Sequence, residues 1–181
     1  TEITQEGSLD IAIQVTCESF ITRAADPQEN LLSDLSVLIF DEYGNLESSG
    51  YYTRSELTGQ TGVTFKTSLL CRKEYSIYAC GNIGKPVTAE NIETLKDIRC
   101  HLAYPDEYRE GIPMYAKEEI KISANTDINI GLERLMAKIC LKMDRSRLDE
   151  DVEMNVRSAR IGNCPRYVRP FKESRIEDGD D

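Results

Sequence analysis

Residues 126–143 read Thr-Asp-Ile-Asn-Ile-Gly-Leu-Glu-Arg-Leu-Met-Ala-Lys-Ile-Cys-Leu-Lys-Met and alternate apolar with polar side chains almost throughout. Ile128, Ile130 and Leu132 share one parity, and Leu135, Ala137, Ile139, Leu141 and Met143 share the other. A two-residue side-chain period belongs to β-strands with one buried face. The change of parity at Glu133 and Arg134 predicts a bulge or tight bend, because one inserted residue swaps the faces. A helix cannot satisfy this pattern, so the stretch commits this part of the chain to sheet.

The same alternation appears elsewhere. Leu9, Ile11, Ile13, Val15 and Cys17 alternate with Asp10, Ala12, Gln14, Thr16 and Glu18, which predicts a first strand. Leu35 to Phe40 is apolar without interruption and reads as a strand covered on both faces. Asp41-Glu42-Tyr43-Gly44-Asn45 has the composition of a turn, and Leu46 to Tyr52 could return as an edge strand. Val63, Phe65 and Leu69 mark another strand, and Tyr75 to Cys80 its partner across a turn at residues 71–74. Tyr104 to Met114 reads as a loop and Lys117 to Ser123 as a strand with Ile120 and Ile122 inward. Val152, Met154 and Val156 alternate again. One helix is expected, capped by Thr88 with Asn91 three residues on, and Ile92, Leu95 and Ile98 on its apolar face. Many short strands joined by Gly, Asn and Pro turns predict an all-β sandwich with one short helix in a crossover loop.

Bulk properties narrow the function. A formal net charge of −10 argues against nucleic acid and against docking on anionic lipid, both of which need clustered Lys and Arg. No apolar run reaches the length of a membrane span, and no secretory leader is visible at Thr1, so the chain reads as a mature or trimmed form. The six cysteines allow fifteen pairings. Their irregular spacing and the absence of Cys-x-x-Cys favour free thiols acting as small hydrophobes.

Catalytic and metal readings find little support. His101 is the single histidine, and adjacent side chains such as Cys100 and His101 diverge in a strand. Zinc lacks paired ligands, and the acidic runs 149–151 and 177–181 lack the oxygen-ligand spacing of a calcium loop. Residues 59–62 make no phosphate cradle. The expectation is a protein that is not an enzyme, with no cofactor and no metal. A glycan-binding surface would need exposed aromatics. The chain has no Trp, and the candidates are Tyr51, Tyr52, Tyr104 and Tyr108.

Several blocks, in order, carry a family resemblance. Leu35-Ser-Val-Leu-Ile-Phe-Asp-Glu-Tyr-Gly-Asn, Tyr75-Ser-Ile-Tyr-Ala-Cys-Gly-Asn-Ile-Gly, Ile112-Pro-Met, Leu132-Glu-Arg-Leu-Met-Ala-Lys-Ile and residues 156–165 resemble segments of the fimbrillin superfamily of Bacteroidales. That family builds the type V pilus and includes its cell-surface anchor lipoproteins. The resemblance spans roughly residues 8–170. It implies a transthyretin-like, Ig-like Greek-key β-sandwich at residues 8–170, behind a tether at 1–7 and before a disordered or truncated tail at 171–181. It also implies a fimbrial anchor or minor subunit at the cell surface, held to the outer membrane by a lipid upstream of Thr1. Its partners would be other fimbrial subunits, joined by strand complementation. A surface adhesin or glycan-binding module on the same sandwich is the alternative. In polymerising members a protease cuts after an arginine in the loop behind the first strand, and Arg23 occupies that place. Such a cut would make the strand bearing Leu9, Ile11, Ile13, Val15 and Cys17 exchangeable.

Overall fold

A computed structural model describes residues 7–17, 31–57, 62–101, 111–123, 127–136, 139, 141–149, 151–160, 162 and 167–172. Strand β1 (Ser8–Cys17) is followed by β2 (Leu35–Phe40), β3 (Leu46–Tyr52), helix α1 (Arg54–Leu57), β4 (Gly62–Leu70) and β5 (Glu74–Gly81). Helix α2 (Ile92–Lys96), β6 (Cys100–His101), β7 (Met114–Lys121), β8 (Ile128–Arg134) and β9 (Tyr167–Val168) complete the order. Seven strands run β3-β2-β5-β7-β8-β1-β4, while β6 and β9 form a separate two-stranded ladder.

The seven-stranded ladder folds over into a β-sandwich. Strands β7 and β8 share only two register pairs, Met114 with Arg134 and Tyr115 with Glu133, so the chain of pairing turns a corner there. On the far side the two edges meet. Thr67 Oγ1 of β4 donates to Ser48 Oγ of β3 at 3.0 Å. A Cβ on Gly50 of β3 would lie 2.5 Å from the Phe65 ring of β4, so only glycine lets the layers close. Between the layers, Ile13, Val15, Val37, Ile39, Ile77, Ile130 and Leu132 belong to one buried cluster. Four strands thus face three across a single core.

A second, smaller core explains why every residue of β2 is buried. Leu38, Phe40, Tyr78 and Cys80 point away from the main core and are covered by Val87, Ala89 and Leu95. Phe171 stacks edge-on to Tyr78 with ring centroids 4.8 Å apart, which ties the chain after β9 to the sheet. Residues 173–181 lie outside the described residues, as do 1–6; the Gly7 carbonyl accepts a hydrogen bond from Cys71 N at 3.0 Å.

Several expectations are corrected. The crossover helix starts at Ile92, not at Thr88, and Asn91 is its cap, accepting from Thr94 N at 2.9 Å. Asn91 itself is extended, and the chain before the helix is tied to the β2–β3 turn, because Asn91 bridges Asn45 and Leu46 N donates to Glu90 O at 3.0 Å. A second helix, α1, was legible as a capping box: Glu56 Oε2 accepts from Thr53 N at 2.7 Å. Strand β7 begins at Met114, so the expected loop ends earlier, and Ile122 lies one residue past the strand although it is buried.

The largest correction concerns the second half of the opening pattern. The parity change at Glu133–Arg134 is where β8 ends, not a bulge within a longer strand. Ile139, Leu141 and Met143 are exposed and outside any strand, and so are Val152, Met154 and Val156. Periodicity states which face of a segment is apolar; it cannot state that a sheet edge is free to receive it.

Candidate functional site

The first strand sits in a slot between two others, and the reason is local. Residues 9–16 alternate strictly and contain Ile, Val and Thr, which suit a pleated half-buried surface. Strand β1 runs antiparallel to β4 from Ser8 opposite Leu70 to Thr16 opposite Gly62. It runs parallel to β8 from Ile13 opposite Ile128 to Cys17 opposite Leu132. Without β1, β4 and β8 would lose their common neighbour.

Ile11, Ile13 and Val15 are buried, with Ile13 and Val15 fully so. Leu9 and Cys17 are partly buried and pack against the same core. The inner walls of the slot are Phe65 and Leu69 from β4 and Ile128, Ile130 and Leu132 from β8. Outward, the Asp10 carboxylate accepts from Ser68 Oγ, and Ala12 lies opposite Lys66. At the end of β1 the Cys17 thiol lies 3.6 Å from Met114 Sδ. Burial raises the pKa of that thiol above its ordinary value, against a smaller lowering by Arg134, which disfavours the thiolate.

The chain leading into β2 is clamped by hydrogen bonds that involve no residue of β1, although Leu32 packs in the same core. Asn82, at the end of β5, has φ of +60° and a nearly buried side chain. Its Oδ1 accepts from Ser33 N at 2.7 Å, and its Nδ2 donates to the carbonyls of Leu31 and Ile112, each at 2.8 Å. Asp34 completes the clamp, accepting from Ile83 N at 3.1 Å and Gly84 N at 2.8 Å. Burial raises the Asp34 pKa, and those two backbone bonds partly offset it. Gly111 closes the other side at φ +104°, where a Cβ would collide with the Asn82 side chain and the Leu31 carbonyl.

Arg23 lies outside the described residues, in the segment 18–30 between β1 and this clamp. Tyr104 and Tyr108 lie outside them as well. Tyr52 packs against the main core, while its neighbour Tyr51 on β3 points to the other face, so the two form no common platform. Cys17, Cys71, Cys80 and Cys100 are free thiols; Cys140 and Cys164 lie outside the described residues. Burial also raises the pKa of Cys80 and Cys100.

One depression of about 450 Å³ is lined by Asp41, Glu42, Glu74, Tyr75, Ser76, Glu119, Ile120 and Lys121. Its carboxylates are already engaged. Glu42 pairs with Lys73 at 2.8 Å, Glu119 with Lys117 at 2.7 Å and Glu74 with Lys121 at 3.7 Å, and Asp41 accepts from Asn45 N at 2.8 Å. Among the described residues no group of three or more His, Cys, Asp or Glu side chains is placed to hold a metal ion.

Neither a family model nor a curated protein sequence matches the chain. Solved structures do. A fimbrial assembly protein from Parabacteroides distasonis superposes with a TM-score of 0.51 at 14% identity, over 72% of this chain and 54% of that one. The chain has the fimbrillin-like fold. A fimbrilin, FimA, from Porphyromonas gingivalis also superposes with a TM-score of 0.51, at 12% identity, over 68% of this chain and 39% of that one. The chain therefore spans about half the length of the first fimbrillin-like structure and less of the second. At such identities the likeness establishes the fold and leaves the slot to be argued from its own geometry.

Proposed function

We propose that this chain is a structural subunit of a fimbrium or related surface adhesion fibre, either a minor subunit in which β1 is the exchangeable part or an anchor that keeps β1. The names of the similar structures support a fimbrial or adhesive role at the cell surface. The observation that carries the reading is the double pairing of β1, with β4 on one side and β8 on the other, around the buried Ile11, Ile13 and Val15. Burying each large aliphatic side chain contributes roughly 1.5–3 kcal/mol. Three of them approach the whole net stability of an ordinary domain, about 5–15 kcal/mol. An emptied slot must therefore be refilled, and a strand from another subunit refills it by β-augmentation. In this reading a cut after Arg23 frees β1, residues 8–170 form the sandwich domain, and a lipid upstream of Thr1 holds anchor forms to the outer membrane.

Limited trypsin digestion of the folded protein with mass spectrometry tests the processing step. Cleavage after Arg23 is expected ahead of other sites, with residues 7–17 staying bound to the body until mild denaturant releases them. An Arg23 bond that resists while other Lys and Arg positions are cut overturns it.

A further inference from the structure

The buried thiols of Cys80 and Cys100 play no part in the slot at β1. Cys80 lies on β5 and, with Tyr78, points into the second core, on the face away from the main one. Over that core runs a crossover flap, from helix α2 through Ile98 into β6. Leu95 and Ile98 pack into the second core from the flap, and Cys100 follows two residues later, buried at the start of β6. The two sulfurs are near enough for Cys100 to push the Cys80 pKa up by charge repulsion, on top of the larger effect of burial. Lys85, just past the end of β5, pulls the Cys100 pKa partly back down, so the chain leaving Cys80 also passes Cys100. Both thiols are free in this structure. The flap is thinly attached. Strands β6 and β9 share only the pairs Cys100–Val168 and His101–Tyr167, and the Lys172–Asp97 ion pair, at 3.6 Å, is exposed.

We propose that Cys80 and Cys100 are a disulfide site whose closure staples the crossover flap to β5. The co-reactant is an oxidant bearing a reactive disulfide, of the kind that exported proteins meet in oxidising compartments. The Cys100 thiolate attacks one sulfur of the oxidant, forming a mixed disulfide and expelling the other sulfur as a thiolate. The Cys80 thiolate then attacks Cys100 Sγ and expels the rest of the oxidant as its second thiolate. The two protein thiols give up two protons and two electrons, and the oxidant's disulfide leaves as two thiols. Cys100 attacks first because it lies in the outer layer beside Lys85, whereas Cys80 lies on the sheet beneath. Burial holds both thiols protonated and out of reach, so the exchange takes place while the flap is open. The bond forms as the flap docks, and the closed flap then shields it from reductant. Two other thiols lie elsewhere. Cys17 Sγ is against Met114 Sδ at the end of β1, and Cys71 Sγ is against the Ile122 carbonyl, at the opposite end of β5 from Cys80.

The test uses the full chain, unfolded in reductant and refolded in a buffer of reduced and oxidised glutathione. Remaining thiols are alkylated, and tryptic peptides are analysed by mass spectrometry without reduction. Peptides 74–96 and 100–109 are expected as one linked species that separates on reduction. The oxidised protein should melt roughly 5–10 °C above the reduced one, as suits a bond closing a loop of about twenty residues in a domain of this size. Once folded, it should lose the bond to dithiothreitol roughly tenfold or more slowly than it does in denaturant. Cys100→Ser should abolish both the linked species and the difference in melting temperature. The wild-type peptide map decides the question even if that variant folds poorly. Alkylated Cys80 and Cys100 in the refolded, oxidised protein overturn the inference, and so does linkage of either one to another cysteine. A linked pair with no rise in melting temperature overturns the staple. Because glutathione supplies the oxidant directly, none of these outcomes bears on strand exchange or on the surface location proposed above.

Discussion

Strand β1 and the segment 151–157 carry nearly the same seven-residue pattern, yet one lies at the centre of the three-stranded layer and the other lies in water. Ile13 is fully buried between Phe65 and Ile128, and Met154, its counterpart, is half exposed. Part of the difference lies in composition, since Glu153, Asn155 and Arg157 are more polar and poorer strand formers than Ala12, Gln14 and Thr16. It lies also in the supply of neighbours: β4 and β8 flank one segment on both sides, while the other pairs with no described strand. An alternating pattern is thus a statement of demand, and the fold decides where it is met.

Substitutions can break this comparison. Ile13→Ala removes a buried side chain at the middle of the slot and should lower stability by about 2–5 kcal/mol, while Met154→Ala should change it by less than about 0.5 kcal/mol, both read from denaturant unfolding. Equal effects would mean that segment 151–157 is packed in the intact protein and that the contrast is false. A smaller effect is expected at the clamp behind β1. Asn82→Ala leaves Ser33 N and the Leu31 and Ile112 carbonyls without their partner and should cost about 1–3 kcal/mol. If β2 is anchored independently of β1, that variant should also loosen residues 31–34 in hydrogen exchange while leaving the β1 amides protected. Loss of protection in β1 first would show that the slot, and not the clamp, holds the chain after it.

The smallest expected effect is electrostatic. Burial raises the Asp34 pKa above its unfolded value. Its protonated form is therefore favoured in the folded state, and its contribution is fully present below the unfolded pKa and is lost as pH rises through the folded value. An NMR titration should place the Asp34 carboxyl above its ordinary value. Relative to the wild type, Asp34→Asn should remove that decline in stability across the mildly acidic range. A carboxyl that titrates below its ordinary value would reverse the sign and show that the bonds from Ile83 and Gly84 outweigh burial.

Much of the sheet was legible from the chain because each of its strands shows the reason for its burial. The doubly apolar run 35–40 announces a strand covered on both faces, and the second core against Val87, Ala89 and Leu95 supplies that cover. The alternation at 8–17 and 128–132 announces one buried face, and both meet in the same core. The helix start was misplaced because Thr88 and Asn91 are both good caps, and only the bridge from Asn91 to Asn45 selects between them. The clamp at Asn82 and Asp34 was not legible, since it joins residues about fifty positions apart through backbone atoms that every residue carries. Arg23 was named through resemblance alone.

What the amino-acid sequence determined by itself is local: which segments are extended, which of their faces are apolar, and where turns and caps interrupt them. These follow from side-chain period and from backbone preferences that act over a few residues. Tertiary structure decided that residues 10–16 lie inside and residues 151–157 outside, because hydrogen-bonding edges and core volume belong to the assembled layers and not to any one segment.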